Sequence, residues 1–416
     1  MSVNVTSEIG KVKGVIIHTP GKEVENMTPR NAERALYSDI LNLSVIDKEY
    51  SSFKNILTKF TKVYEVTELL SEIVKNEEAR TSLIDNVCKN ENIVELKELL
   101  LELPADQLPK ILIDGLPLVH DNLTKYLSGE RYSIEPLHNS FFTRDASITV
   151  RDKVLIAAMG NNIRKRESII MESIFNFHTE LKAETVNPLN SKFYNDKISI
   201  EGGDLFVPRE DIVMLGVGAR TTTEGVDFIL ERVKENRERR HIIIQELPKK
   251  PESFIHLDMV FTFLDKNQCM IYEPIIKHRY DYRTIHITVD NGKVESITER
   301  KDLLEALSIL GMDLSPVNCG GQGDLWTQER EQWHSGANLF ALAPGQVIGY
   351  GRNEKTMEEL GKNGFDVLDS KDIINGKVQL ENHKKFVITL PGSELARGGG
   401  GCRCMTMPVK RDQVSW

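Results

Sequence analysis

Short β-branched runs recur along the whole chain and alternate with stretches of helical period. Only a mixed α/β architecture accommodates that pattern. The runs include Val15-Ile16-Ile17, Val63-Tyr64-Glu65-Val66, Ile148-Thr149-Val150, Val154-Leu155-Ile156 and Ile198-Ser199-Ile200. They continue through Ile212-Val213-Met214-Leu215, His241-Ile242-Ile243-Ile244, Met259-Val260-Phe261-Thr262-Phe263 and Met270-Ile271-Tyr272 to Val347-Ile348-Gly349-Tyr350 and Phe386-Val387-Ile388-Thr389-Leu390. Their length and composition predict strands. Between them, Tyr50, Phe53, Ile56, Leu57 and Phe60 share one face of a helix, as do Val226, Ile229, Leu230 and Val233.

One segment breaks the alternation. From about Val66 to Leu127 the chain is dense in Leu, Glu and Lys, with almost no strand signal. Pro104 and Pro109 punctuate what reads as a small helical bundle. The chain has 416 residues, and at about 150 residues per domain that suits two or three units. The expected division is an α/β body over 1–66 and 128–416 with a helical insertion over 67–127.

The charge balance narrows the function classes. With 62 acidic against 53 basic residues, the net charge is −9, which argues against a general nucleic-acid or anionic-membrane binder. No apolar run approaches the 18 or so residues of a membrane span. Met1 to Lys13 lacks the basic-then-apolar order of a secretory signal, so a cytosolic location is expected. Five cysteines, an odd and scattered set, suit a reducing compartment and leave a reactive thiol possible.

Polar or glycine-rich clusters adjoin the strands. They are Thr143-Arg144-Asp145, Glu201-Gly202-Gly203-Asp204, His256-Leu257-Asp258, Cys319 to Asp324, and Gly398 to Cys404. A pseudo-repeated ββαβ unit would gather such strand ends around one centre. The C-terminal cluster is the most unusual, because four consecutive glycines, Gly398 to Gly401, permit close backbone approach and precede Cys402 and Cys404. A cysteine after such a loop, on an expected short strand, is a candidate nucleophile; a surface loop with incidental thiols is the plainer alternative. The C-x-C spacing has no matching Cys/His pair, so no metal is expected. His256 and Asp258, read as a strand, would project to one face, suiting an acid/base beside a charge-binding group. Asp145 could equally pair with its neighbour Arg144, and Glu201 could be a turn carboxylate.

In this order, F-T-R-D, I-E-G-G-D, H-x-D and R-C-M-T-M-P, the motifs together closely resemble the arginine deiminases, guanidine-modifying enzymes of the pentein superfamily. The resemblance covers nearly the whole chain, including Thr28-Pro29, Leu36 to Ile40, Leu215 to Thr221, Asn338 to Gly345 and the helical insertion. It implies a five-bladed α/β propeller of ββαβ units. It also implies hydrolysis of free L-arginine to citrulline and ammonia through a covalent thiouronium intermediate, with no cofactor, in an assembly that is often a dimer or larger. It assigns Cys404 as nucleophile, His256 as acid/base, Asp145 and Asp258 as the guanidinium grip, and Glu201 as support for the histidine and the substrate nitrogens. Asn139, Arg164 and Arg220 would hold the substrate carboxylate, and Gly398 would make a backbone contact.

Elementary chemistry agrees with these roles. A planar guanidinium suits flanking carboxylates, and the carboxylate of free arginine suits cationic partners. Three carboxylates near Cys404 should raise its pKa, so arrival of the substrate cation would promote ionisation. Departures from the family pattern are Ser38 where an acid is common, Ala219 before Arg220, and Arg403 at a variable position. Arg397 is expected on the closing loop, and Cys402 competes with Cys404 for the nucleophile's role. An amidinotransferase, or a catalytically silent arginine-binding protein, would use the same scaffold.

Overall fold

A computed structural model describes residues 2–277 and 282–416 as a mixed α/β fold. Five of its sheets repeat one pairing pattern: an antiparallel pair whose second strand also pairs in parallel with a third. In the first, Ser147–Val150 and Lys153–Ile156 are antiparallel, and Glu184–Val186 joins in parallel. Leu205–Arg209, Ile212–Val217 and Arg240–Glu246 form the second. The third comprises Phe261–Asp265, Gln268–Ile271 and Ser315–Asn318. Phe340–Ala343, Gln346–Tyr350 and Phe386–Leu390 make the fourth. The fifth joins the chain ends, with Met407–Arg411 antiparallel to Val12–Ile17 and Lys62–Glu65 in parallel. A parallel partner needs a crossover, and helices such as Lys165–Phe177, Thr223–Lys234, Glu354–Lys362 and Leu43–Phe60 supply it.

Leu43–Phe60 buries Tyr50, Phe53, Ile56 and Leu57, the face anticipated from their spacing. The same helix positions the C-terminal loop. Its buried Glu49 accepts hydrogen bonds from the backbone N–H groups of Ser393, Glu394 and Leu395 at 2.7, 3.1 and 2.9 Å. That fixes the direction in which the chain enters the glycine run.

Three expectations change. His256–Asp258 is not a strand: short 3₁₀ turns, Glu252–Phe254 and Leu257–Met259, flank His256. Cys402–Cys404 is also a turn, and the strand begins only at Met407. Ile198–Ile200 keeps a single bridge, between Ile200 and Ala158. In each case a β-branched or apolar run lies against the core, but its backbone polar groups find partners outside a ladder, which periodicity does not report.

The stretch between the fifth and first sheets is helical. It contains Val66–Ile73, Glu77–Glu91, Lys97–Glu102, Leu108–Asp114 and Leu123–Ser128, with one short pairing of Leu116–Pro117 to Tyr132–Ile134. Pro109 sits in the first turn of its helix, where a missing N–H is harmless. Among the described residues no helix is long and apolar enough to cross a membrane.

Helix ends leave carbonyls without intrahelical partners. Arg80 satisfies three at once, donating to Val74 O, Leu101 O and Leu103 O at 3.1, 2.8 and 2.8 Å. Arg80→Met should therefore lower stability by about 2 kcal/mol and speed amide exchange around Lys97–Glu102. Urea unfolding and hydrogen exchange check this, and an unchanged exchange pattern would contradict it.

Candidate active site

The candidate residues stand at equivalent places in the fold, just ahead of the first strand of a sheet. Asp145 precedes Ser147–Val150, Glu201 precedes Leu205–Arg209, Asp258 precedes Phe261–Asp265, and Cys404 precedes Met407–Arg411. Asn338 precedes Phe340–Ala343 in the same way. Hydrogen bonds join these five segments into a closed ring. Arg144 N donates to Cys404 O at 3.0 Å, Gly202 N to Asp145 O at 3.0 Å, and Asp258 N to Gly203 O at 3.3 Å. Asn338 Nδ2 donates to Asp258 O at 3.1 Å, and Cys402 N to Asn338 O at 3.2 Å.

A small cavity of about 70 Å³ opens on the ring, lined by Asn139, Asp145, Arg164, Arg220, His256, Gly398 and Cys404. These are seven of the nine residues singled out from sequence. Glu201 and Asp258 stand behind it, fully buried. Trp333, Tyr37, Arg397 and Glu252 are among the other lining residues. A larger cavity of about 500 Å³, lined by Leu155, Val213, Ile229 and Val233 among others, contains none of the candidate residues.

Charge is paired tightly. Glu201 Oε2 lies 2.9 Å from His256 Nε2, and Glu201 Oε1 accepts from Gly160 N at 2.9 Å. His256 Nδ1 is 3.6 Å from Asp145 Oδ1. Burial pulls the imidazole pKa down, but the Asp145 charge and the Glu201 hydrogen bond outweigh it and carry the value to about 9. Burial likewise pushes Glu201 up, yet His256 and the Arg220 and Arg164 cations bring it down to about 2. His256 is therefore an imidazolium at neutral pH.

The thiol is under the opposite pressure. Burial raises the Cys404 pKa well above its ordinary value, and the Asp258 and Asp145 charges raise it further. Its Sγ lies 3.7 and 3.8 Å from the two Asp258 oxygens and accepts from Asn338 Nδ2 at 3.1 Å. The neutral thiol anticipated for the free site agrees with this geometry. Cys402 is buried too, and burial alone raises its pKa.

Several partners differ from expectation. Asp145 pairs with Arg164, Oδ2 to Nη1 at 2.7 Å, rather than with its neighbour Arg144. Arg144 instead points its Nε to Arg403 O at 3.4 Å, and burial lowers its pKa to about 9. Arg164 also makes a two-pronged pair with Glu167, Nε to Oε1 at 3.0 Å and Nη2 to Oε2 at 2.7 Å, so most of its donors are committed. Asn139 Nδ2 donates to Ala35 O at 2.8 Å. Arg220, 15% exposed, stands 3.9 Å from Glu201 and is less committed than Arg164. Asp145 Oδ1 is buried without a hydrogen-bond partner, an acceptor open to a donor in the cavity.

Arg403, given no role from sequence, is buried beside the site. Its Nη1 meets Asp258 Oδ2 at 3.0 Å, its Nη2 meets Glu8 Oε2 at 3.3 Å, and its guanidinium stacks 3.7 Å over Phe206. Burial raises the Asp258 pKa, against the pull of Arg403. Sequence reasoning also missed Glu8 and Glu167. Both are acids amid ordinary surface-like composition, and only their burial marks them. Asp204 of the Glu201 cluster accepts from Leu257 N at 2.9 Å and so holds the turn between His256 and Asp258; burial lifts its pKa to about 7.

The glycine run packs against protein. A Cβ on Gly400 would lie 2.4 Å from the Phe142 ring, and one on Gly401 would lie 2.7 Å from three atoms of Asn338. Arg397, on the same loop, binds Asp39 through Nε at 3.0 Å and Glu394 at 2.9 Å, tying it to the segment that carries Ser38. Donor atoms of Asp145, Glu201 and His256 lie within 4.8 Å of one another, close enough to hold a metal ion. Their oxygens already face an arginine and an imidazole, an environment equally suited to an organic cation.

The family model for arginine deiminase matches residues 33–411. The chain belongs to the arginine deiminase family. An arginine deiminase of Bacillus cereus is 32% identical over 99% of each chain. Another, from Borrelia garinii, is 30% identical over 99% of this chain and 98% of that one. Among solved structures, an amidinotransferase of saxitoxin biosynthesis from Microseira wollei superposes with a TM-score of 0.54 at 13% identity, covering 99% of this chain and 98% of that one. A dimethylarginine dimethylaminohydrolase bearing an S-methyl-L-thiocitrulline adduct gives 0.51 at 13%, covering 95% and 99%. Both share the mixed α/β fold of this chain.

Two outcomes follow for this family member. A Cβ on Gly203 would lie 2.4 Å from His256 Nδ1, so Gly203→Ala should displace the imidazole and lower kcat by on the order of 100-fold; near-normal turnover would contradict it. Stability should also follow pH through the His256–Glu201 pair. The imidazole value is raised from 6.5 to about 9, so its contribution is complete below pH 6.5 and lost as pH rises to about 9. The Glu201 value is lowered from 4.5 to about 2, so its contribution is complete above pH 4.5 and lost toward pH 2. Urea midpoints across pH should fall on both sides, and His256→Gln should flatten the alkaline side.

Proposed function

We propose that this chain hydrolyses the guanidinium of free L-arginine to L-citrulline and ammonia. The observation that carries the reading is the cavity itself, where a buried cysteine, a buried histidine and an Asp145 oxygen without a hydrogen-bond partner converge. In this reading Asp145 and Asp258 hold the substrate guanidinium. Arg220, Asn139 and the remaining donor capacity of Arg164 hold its α-carboxylate, and the Gly398 backbone borders the chain between them.

Substrate brings one positive charge beside the thiol and offsets the carboxylates that keep it protonated. The Cys404 thiol then loses its proton to solvent, and the thiolate attacks the guanidinium carbon. The C–N bond breaks as His256 delivers its proton to the departing nitrogen, leaving ammonia and an S-alkylthiouronium. Neutral His256 next takes a proton from water, which adds to the same carbon. Collapse breaks the C–S bond, yielding citrulline and the free thiol. Glu201 keeps the imidazole oriented throughout and favours its return to the charged form. Resonance makes the guanidinium carbon a poor electrophile, so exclusion of bulk water and the covalent step both matter.

We read the five repeated sheets as the blades of a pseudo-symmetric α/β propeller, supported by the closed ring of hydrogen bonds between the segments that lead into their first strands. The body would comprise 1–66 and 128–416, with 67–127 as a helical insertion. A cytoplasmic home suits the five unpaired cysteines. A dimer or larger assembly suits the exposed Val119, Leu123, Tyr126 and Leu127.

Purified protein given arginine and no acceptor amine should release citrulline and ammonia in equal amounts. Cys404→Ser should abolish this while Cys402→Ser retains most of it, as measured by citrulline formation. The reverse pattern would overturn the nucleophile assignment, and guanidinium transfer only on adding an amine would overturn hydrolysis.

A further inference from the structure

We infer that Asn338 is a catalytic residue, its side-chain amide donating a hydrogen bond to Cys404 Sγ that stabilises the attacking thiolate. The inference rests on Cys404 being the nucleophile. Its first support is position. Four of the five strand-entry segments carry residues assigned to the chemistry, and Asn338 is the fifth segment's contribution to the same ring.

The second support is hydrogen-bond accounting. An amide has two N–H donors on one atom and an acceptor on the other, and its orientation is read from its neighbours. Asn338 Oδ1 faces the backbone N–H groups of Arg403 and Cys404 at 2.9 and 3.2 Å. Both are obligate donors, so the oxygen must be on that side. Nδ2 is then turned toward Asp258 O and Cys404 Sγ, both at 3.1 Å, with Met259 Sδ farther off at 3.6 Å. A flipped amide would set two donors against two donors and a carbonyl oxygen against another. The side chain is almost wholly buried, so water does not compete.

The third support is charge. Burial and the carboxylates of Asp258 and Asp145 disfavour the thiolate. Arg403 opposes them, but its guanidinium is committed to Asp258 and Glu8. The Asn338 amide donates to sulfur directly, and a donor strengthens its bond as the acceptor gains charge. Because Cys402 N also donates to Asn338 O, one residue clamps the nucleophile's turn and solvates its sulfur.

Asn338→Asp keeps an acceptor for the two backbone N–H groups and removes the donor to sulfur. Asn338→Ser is too short to serve either. Gly401→Ala leaves the amide intact but presses on it, since its Cβ would lie 2.7 Å from Asn338 Cβ, O and Oδ1. In all three, kcat for arginine should fall by about 10- to 100-fold, the worth of one hydrogen bond to a charged group, with KM little changed. The pH midpoint of Cys404 alkylation by iodoacetamide, followed by peptide mass, should move upward in each. Thermal unfolding measured alongside separates the clamp from the donor. Loss of thermal stability with a wild-type alkylation curve, in any variant that folds, would reduce Asn338 to a structural residue and overturn the inference. Failure of all three to fold would likewise assign it to structure. Full turnover by Cys404→Ser would instead defeat the nucleophile assignment itself.

Discussion

A closed ring of hydrogen bonds joins the segments that enter the five repeated sheets. Each segment lies buried at the meeting point of several sheets, where its backbone N–H and C=O groups have little solvent to turn to. They satisfy one another: Arg144 to Cys404, Gly202 to Asp145, Asp258 to Gly203, Asn338 to Asp258, and Cys402 to Asn338. The residues proposed for chemistry occupy these same segments. Their side chains are thereby aimed into one cavity by backbone that cannot shift without breaking a neighbour's bond.

That ring encloses an unusual density of charge, and pairing makes it tolerable. Asp145 has Arg164, which Glu167 anchors in turn. Glu201 has His256, and Asp258 has Arg403, which Glu8 holds from the N-terminal segment. Buried charges survive only when compensated, and removing one partner strands the other. The cysteine is the exception, a titratable group with two carboxylates nearby and no committed cation of its own. Such a site favours a cationic ligand and withholds its nucleophile until that ligand arrives.

Much of this was legible in the residues. The alternating strands and helices appear where β-branched runs and the face of Tyr50, Phe53, Ile56 and Leu57 put them. The glycine run and the clusters at Asp145, Glu201 and His256 lead to the cavity. Cys319 to Asp324 instead follows the parallel strand Ser315–Asn318 and does not line it, the fifth place in the ring falling to Asn338. The misreadings have one origin. The turns at His256–Asp258 and Cys402–Cys404 look like strands because their apolar neighbours are buried. Yet Leu257 N bonds to the Asp204 carboxylate and Cys404 N to the Asn338 amide, partners far away in the chain.

By itself, the sequence determined the α/β class, the helical stretch, the family, and which acids, histidine and cysteine belong together. Those follow from local periodicity and from motifs whose order along the chain is preserved. Only the tertiary structure decided how the charges pair: Arg164 with Asp145 and Glu167, Arg403 with Asp258 and Glu8, and Asn338 on the thiol. A cation's partner depends on distance and burial, and residues 395 positions apart, such as Glu8 and Arg403, carry no trace of their contact in linear order.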